Sequence, residues 1–187
     1  MEAVRSFFAV EAPSSLREEI GIRLPRWKSR IQGVRWARPE AVHFTVKFMG
    51  GMEDVRIPDA VRIAAAALKG TAPFSLDIEG AGVFPSPERP RVFWLGTGAG
   101  AEPLKEIARK LETALGEAGF KREERPFKPH LTVGRADGRL DADAAAAWGE
   151  LADGLDDMVE VREVVLFRSD LEPGGARYTR MAGIPLR

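Results

Sequence analysis

Apolar positions along the chain alternate between two rhythms. Val4–Val10 is a short, mostly apolar run stopped by Pro13, which predicts a buried opening strand. Leu16, Ile20 and Ile22 follow among charges and predict a helix opened by Pro13-Ser14-Ser15, with Pro25 expected to kink or end it. Val34–Ala37 and Val42–Met49 read as strands, the second closed by Gly50-Gly51. Ala60–Leu68 is a helix capped by Gly70, and Leu104, Ile107, Ala108, Leu111 and Leu115 mark another over 102–117. Phe74–Phe84 and Arg91–Gly96 are strands joined by the turn-rich Pro85-Ser86-Pro87-Glu88-Arg89-Pro90. His130–Arg135 is a strand, Asp141–Leu151 a helix and Val159–Phe167 a strand. Arg177–Met181 is a last strand after a turn at Pro173-Gly174-Gly175.

Strands and helices interleave through short connections, so the class is α+β or α/β. No linker or low-complexity stretch divides the 187 residues, which predicts one domain over 1–187. With 44% hydrophobic residues the chain can bury a core, and without cysteine it has no thiol nucleophile, thiolate metal site or disulfide. The first eleven residues are too short and charged for a signal peptide. The longest apolar run, Ile63 to Leu68, spans six residues where a bilayer needs ~20, so a cytoplasmic protein without a membrane partner is expected. A monomer is the default.

Charge sums to zero, which argues against a long non-specific grip on duplex nucleic acid. Its distribution is uneven. Residues 21–39 hold Arg23, Arg26, Lys28, Arg30, Arg35 and Arg38 with no acid, whereas residues 140–163 hold eight acids against Arg162. Two solvated helix faces account for this; a basic rim for a phosphorylated ligand is the functional alternative.

The two histidines of the chain stand in one frame: His43-Phe44-Thr45-Val46 and His130-Leu131-Thr132-Val133. With six threonines in the chain, both histidines having Thr two residues on is roughly a one-in-a-thousand coincidence from composition alone. On a strand, residues i and i+2 share a face. Each motif is thus a ledge presenting an imidazole and a hydroxyl, backed by apolar packing. Near neutral pH one imidazole can serve as base and the other as acid, while Thr hydroxyls donate to phosphate oxygens. That chemistry suits opening of a cyclic phosphodiester without metal or cofactor. A metal site lacks a third ligand at any recognisable spacing, and no Gly-x-Ser-x-Gly elbow supports a serine hydrolase.

These tetrapeptides resemble the signature of the two-histidine (2H) phosphoesterases, most closely the RNA 2′,3′-cyclic phosphodiesterases, also called 2′–5′ RNA ligases. Arg5–Val10, Trp36–Gly50, Phe84-Pro85 with Pro90–Gly96, Phe127–Arg135, and Leu166–Ser169 with Tyr178 are similar to that family's blocks, so the likeness covers nearly the whole chain. It implies a bilobal α+β fold with pseudo-twofold symmetry, antiparallel-rich sheets around a central cleft flanked by helices, and one His-x-Thr motif per lobe. It also implies metal-independent hydrolysis of an RNA 2′,3′-cyclic phosphate end to a 2′-phosphate, with reversible 2′–5′ ligation as a further activity. In the family scheme His43 protonates the departing O3′, His130 activates water, and Thr45, Thr132 and Arg135 bind phosphate.

Strict alternation puts Arg135 on the face opposite His130, so its participation requires a bulge, for which Gly134 is suited. Phe48 matches a family position that stacks on the terminal base, yet alternation gives it the core-facing side of Phe44 and leaves Lys47 beside His43. Trp36 and Trp94 are expected in packing roles. Pro25 and the Phe44 that replaces a commoner Leu are departures that leave the chemistry intact. RNA 3′ ends are the expected partner; a small cyclic nucleotide, an ADP-ribose cyclic phosphate, or non-catalytic nucleotide binding are the alternatives.

Overall fold

The computed structural model describes residues 3–172 and 175–187; the turn expected at Pro173-Gly174-Gly175 lies largely outside the described residues. Among the described residues all strand pairs are antiparallel, in two four-stranded sheets and one two-stranded ribbon, giving the α+β class.

The first sheet has the order β10-β9-β1-β3, built from β1 (Ala3–Glu11), β3 (His43–Glu53), β9 (Glu163–Glu172) and β10 (Gly175–Pro185). Helices α2 (Ile57–Leu68) and α3 (Ala101–Glu117) cover its core side. The second sheet has the order β2-β7-β6-β5, from β2 (Val34–Trp36), β5 (Ala81–Phe84), β6 (Val92–Leu95) and β7 (Leu131–Ala136). Helices α1 (Ser14–Arg30) and α4 (Ala142–Ala152) pack on it. Strands β4 (Phe74–Ile78) and β8 (Asp157–Val161) form the ribbon. One His-x-Thr motif lies on each large sheet, and β3 touches β7.

The helices form where their apolar stripes have something to cover. In α3 the five residues of the helical pattern, Leu104, Ile107, Ala108, Leu111 and Leu115, are all buried. Asp141 caps α4 by accepting from Asp143 N at 3.2 Å, and Trp148 on that helix packs edge-on against Trp27 of α1. Trp36 completes this aromatic centre with Phe93, the packing role expected of it. Among the described residues no helix is long and apolar enough to cross a membrane.

Five expectations need correcting. Helix α1 runs through Pro25 to Arg30; the exposed proline costs the bond it cannot donate to Gly21, while burial of Trp27 holds the last turns in place. Ile22 is 73% exposed and takes no part in the core. The segment Phe74–Phe84 is two strands in different sheets, divided at Gly80, whose φ of 70° ends β4. Val159–Phe167 likewise divides into β8 and β9, and β3 continues through Gly50-Gly51 to Glu53.

The uneven charge has an intramolecular use. Arg23 of the basic run donates to the carbonyls of Asp153 and Gly154, Arg30 lies 4.0 Å from Glu150, Arg35 pairs with Asp137, and Arg38 lies 4.0 Å from Glu172. Four of its six cations thus face acids or carbonyls of the same molecule.

Candidate active site

Both imidazoles are anchored the same way. His43 Nδ1 lies 2.7 Å from Ala41 O, and His130 Nδ1 lies 2.7 Å from Lys128 O. A carbonyl only accepts, so each Nδ1 carries the proton and each Nε2 is left for chemistry. His43 Nε2 sits 2.9 Å from Thr45 Oγ1. The carbonyl two residues upstream is available because each motif enters its strand from a Pro-containing segment, Pro39-Glu40-Ala41 and Pro129.

The two rings differ in surroundings. His43 stacks on Phe7 (centroids 4.6 Å apart, planes 22° apart) and meets the edge of Tyr178 at 5.1 Å. Its burial lowers its pKa to about 4, against the pull of the Ala41 carbonyl; the charges of Arg17, Arg135 and His130 add to the lowering. His130 meets Phe84 edge-on at 5.0 Å, and burial followed by the Arg135 charge lowers its pKa, opposed by the Lys128 carbonyl. Burial also raises Tyr178, while Arg135 and Arg5 pull it down. His43, His130, Arg135 and Tyr178 therefore share one electrostatic neighbourhood.

Bulges decide which other side chains reach it. Between β6 and β7, Phe93 pairs with Gly134 and Trp94 with Thr132, so Val133 is an extra residue. Val133 and Gly134 are both buried, and Arg135 returns to the Thr132 side. Gly134 is required there: a Cβ would lie 2.8 Å from both Trp36 and Val34. The bulge on which Arg135 depended is thus present.

Strand β3 carries two further bulges, the first of which reverses the expected orientation of Lys47 and Phe48. Thr45 pairs with Ala9 and Lys47 with Phe8, leaving Val46 extra; Phe48 pairs with Phe7 and Gly50 with Ser6, leaving Met49 extra. Lys47 turns inward, 2% exposed, with Nζ 2.8 Å from Glu112 and 2.6 Å from Lys121 O. Phe48 comes round, half-buried, to the side of His43 and Thr45, and the Arg5 guanidinium lies 4.6 Å from its ring centroid. Trp94, paired with Thr132, is half-buried against Phe84.

The structure brings together His43, Thr45, His130, Thr132, Arg135 and Phe48, and adds residues the motifs did not single out. Phe7 and Tyr178 pack on His43. Arg17, from the first turn of α1, acts on His43 electrostatically and is itself held by Glu11, the residue opposite His43 on β1. Tyr178 and Phe7 lie in blocks with a family resemblance, whereas Arg17 has no local sequence signal. Among the described residues no cluster of three His, Cys, Asp or Glu side chains is placed to hold a metal ion.

A sequence model of the 2′-5′ RNA ligase superfamily matches residues 13–173. An RNA 2′,3′-cyclic phosphodiesterase of Methanothermobacter thermautotrophicus is 38% identical over 179 residues, covering 95% of this chain and 96% of that one. Its counterpart from Archaeoglobus fulgidus is 34% identical over 176 residues, covering 94% and 96%. Among solved structures, TT0787 of Thermus thermophilus has the same fold, with a TM-score of 0.78 over 98% of both chains at 24% identity. The family model spans both His-x-Thr ledges, the relatives cover nearly the whole chain, and the chain belongs to the 2′-5′ RNA ligase superfamily of two-histidine phosphoesterases.

Proposed function

We propose that this protein is an RNA 2′,3′-cyclic phosphodiesterase that opens a terminal cyclic phosphate to a 2′-phosphate, with His43 and His130 as the acid–base pair. The observation that carries this reading is the matched anchoring of the two imidazoles, each Nδ1 on a carbonyl two residues upstream and each Nε2 free of the backbone. The curated relatives that align over nearly the full chain bear the same activity in their names.

In this reading water attacks phosphorus as His130 Nε2 takes its proton. The P–O3′ bond breaks, and His43 Nε2–H delivers a proton to the departing O3′. The product keeps the P–O2′ bond and gains a free 3′-hydroxyl. Thr45, Thr132 and Arg135 hold the non-bridging oxygens, whose charge grows in the transition state.

Burial keeps His43 neutral in the free protein at pH 7. A neutral Nε2 accepts from the Thr45 hydroxyl at 2.9 Å, which occupies that hydroxyl's only proton. A bound phosphate anion favours the imidazolium. Once charged, Nε2 no longer accepts from Thr45 and its proton is available to O3′, while the Thr45 proton turns to a phosphate oxygen. Substrate binding and arming of the acid are thus one event.

The test is an RNA oligonucleotide ending in a 2′,3′-cyclic phosphate, incubated in EDTA, with the 2′- and 3′-phosphate products resolved. A 2′-phosphate lost in His43→Ala and His130→Ala is the expected outcome. A 3′-phosphate product overturns O3′ as the leaving group, turnover abolished by chelation overturns the two-imidazole mechanism, and binding without product at any pH leaves a nucleotide-binding module.

A further inference from the structure

We infer that Arg5, braced on Phe48 and facing Tyr178, forms a second anion subsite, which takes the phosphate on the 5′ side of the terminal ribose. This inference rests on the cyclic phosphodiesterase reading and specifies its substrate.

Cations around the cleft are mostly spoken for. Arg17 and Arg180 share Glu11, Arg180 also holds Glu163, and Arg177 lies 3.9 Å from Glu172. Arg35 claims Asp137, the acid nearest Arg135 in sequence. Among the described residues neither Arg5 nor Arg135 has a carboxylate within 4.0 Å. Both act on the Tyr178 phenol, one from each large sheet.

A cyclic phosphodiester carries a single negative charge, and Arg135 beside the two imidazoles already answers it. Arg5 is a surplus cation. It is exposed on β1, and its guanidinium lies against the aromatic ring of Phe48, which the β3 bulge at Val46 carries to the cleft side. Stacking of a guanidinium on an aromatic face fixes its plane and leaves its edge N–H groups to bind a phosphate. Phe48 accordingly holds Arg5 in place, which differs from a ring reserved for the terminal base. An internucleotide diester supplies the anion in RNA; a 5′-phosphate or pyrophosphate supplies it in a small nucleotide.

Three substrates separate these sources: adenosine 2′,3′-cyclic phosphate, its 5′-phosphorylated form, and the dinucleotide ApA ending in a cyclic phosphate. kcat/KM is measured for each with the wild-type protein and with Arg5→Gln, at several salt concentrations. The expected preference for the two substrates with a second phosphate is about tenfold or more, the worth of one charge-assisted hydrogen bond, and Arg5→Gln removes that preference. Salt also weakens the preference for the dinucleotide by screening the ion pair, and Arg5→Gln flattens that dependence. Preference for both 5′-phosphorylated substrates assigns the subsite to any 5′ phosphate; preference for the dinucleotide alone assigns it to the RNA diester. Equal kcat/KM for all three in the wild type, or a preference that survives Arg5→Gln, overturns the subsite. If none of the three turns over, the hydrolase reading fails, and the same ratios taken as Kd values of the corresponding 2′-phosphates still decide the role of Arg5.

Discussion

His43 Nε2 lies 2.9 Å from Thr45 Oγ1, and the same ring is fixed from its other side by Ala41 O at 2.7 Å. The hydroxyl can serve the imidazole or a phosphate oxygen with its one proton, and the charge state of His43 decides which. Thr45→Val removes the donor while keeping the branched shape. We expect kcat/KM to fall by about 10²-fold, in the range of losing one preorganised donor to a developing oxyanion. The loss falls on KM as well as kcat, because the hydroxyl proton turns to the phosphate when substrate binding charges His43 and its bond strengthens as charge grows. An unchanged KM in steady-state kinetics would contradict the coupling.

The pH dependence of kcat/KM follows from the free protein's two imidazoles. One proton shared by the pair is the productive state, one ring acting as acid and the other as base. Burial puts His43 near 4 and pushes His130 below its ordinary 6.5. The bell for kcat/KM therefore peaks below pH 6.5 and declines about tenfold per pH unit on its alkaline limb. In the complex the phosphate anion raises both groups, so the kcat profile peaks at higher pH. Rate profiles from pH 4 to 9 check both; a kcat/KM optimum above pH 7 contradicts the burial of His43.

Stability carries the same signature with a definite sign. An unfolded His43 binds a proton near pH 6.5, the folded one only near 4. Between these values the unfolded state holds more protons. The neutral ring's contribution is complete above pH 6.5, falls as the pH drops towards 4, and is level below. Between pH 7 and pH 4.5 the part of it lost is about 2–3 kcal/mol. His43→Gln abolishes this part of the acid sensitivity, so the stability gap between variant and wild type should move by that amount, in the variant's favour, from pH 7 to pH 4.5. Urea unfolding at the two pH values measures it, and an unchanged gap would rule it out.

Much of this site is written locally, and the rest is not. The His-x-Thr frames place four functional side chains because each ledge is a matter of two residues on one strand. The stripe of α3 is equally local. Lys47 and Phe48 could not be placed that way: the bulge at Val46 belongs to the register between β1 and β3, which joins residues about 40 apart. Arg135 depends on a bulge of the same kind, but there Gly134 left a visible trace. Arg17 and Arg5 reach the cleft through α1 and β1, far along the chain from either histidine, so no spacing signals them. Gly80 divides what reads as one continuous strand, because periodicity reports which face is buried and not which sheet buries it.

The buried ion pair beneath β3 gives the last test and separates the two orientations of Lys47. Its Nζ, 2.8 Å from Glu112 and 2.6 Å from Lys121 O, is held on the core side of the sheet from which Phe48 has turned away. Removing one partner of such a pair strands the other: Glu112→Ala leaves a buried ammonium and should cost about 3 kcal/mol. Lys47→Met replaces the ammonium stem with an apolar one of similar length and leaves the carboxylate of Glu112, which is 28% exposed, to water. That change should cost less, about 1–2 kcal/mol. Neither should alter KM for a cyclic phosphate at temperatures where the variant is folded. Urea midpoints establish the order of the two costs. A KM raised tenfold in Lys47→Met would instead place that ammonium in the cleft, where strict alternation from His43 puts it.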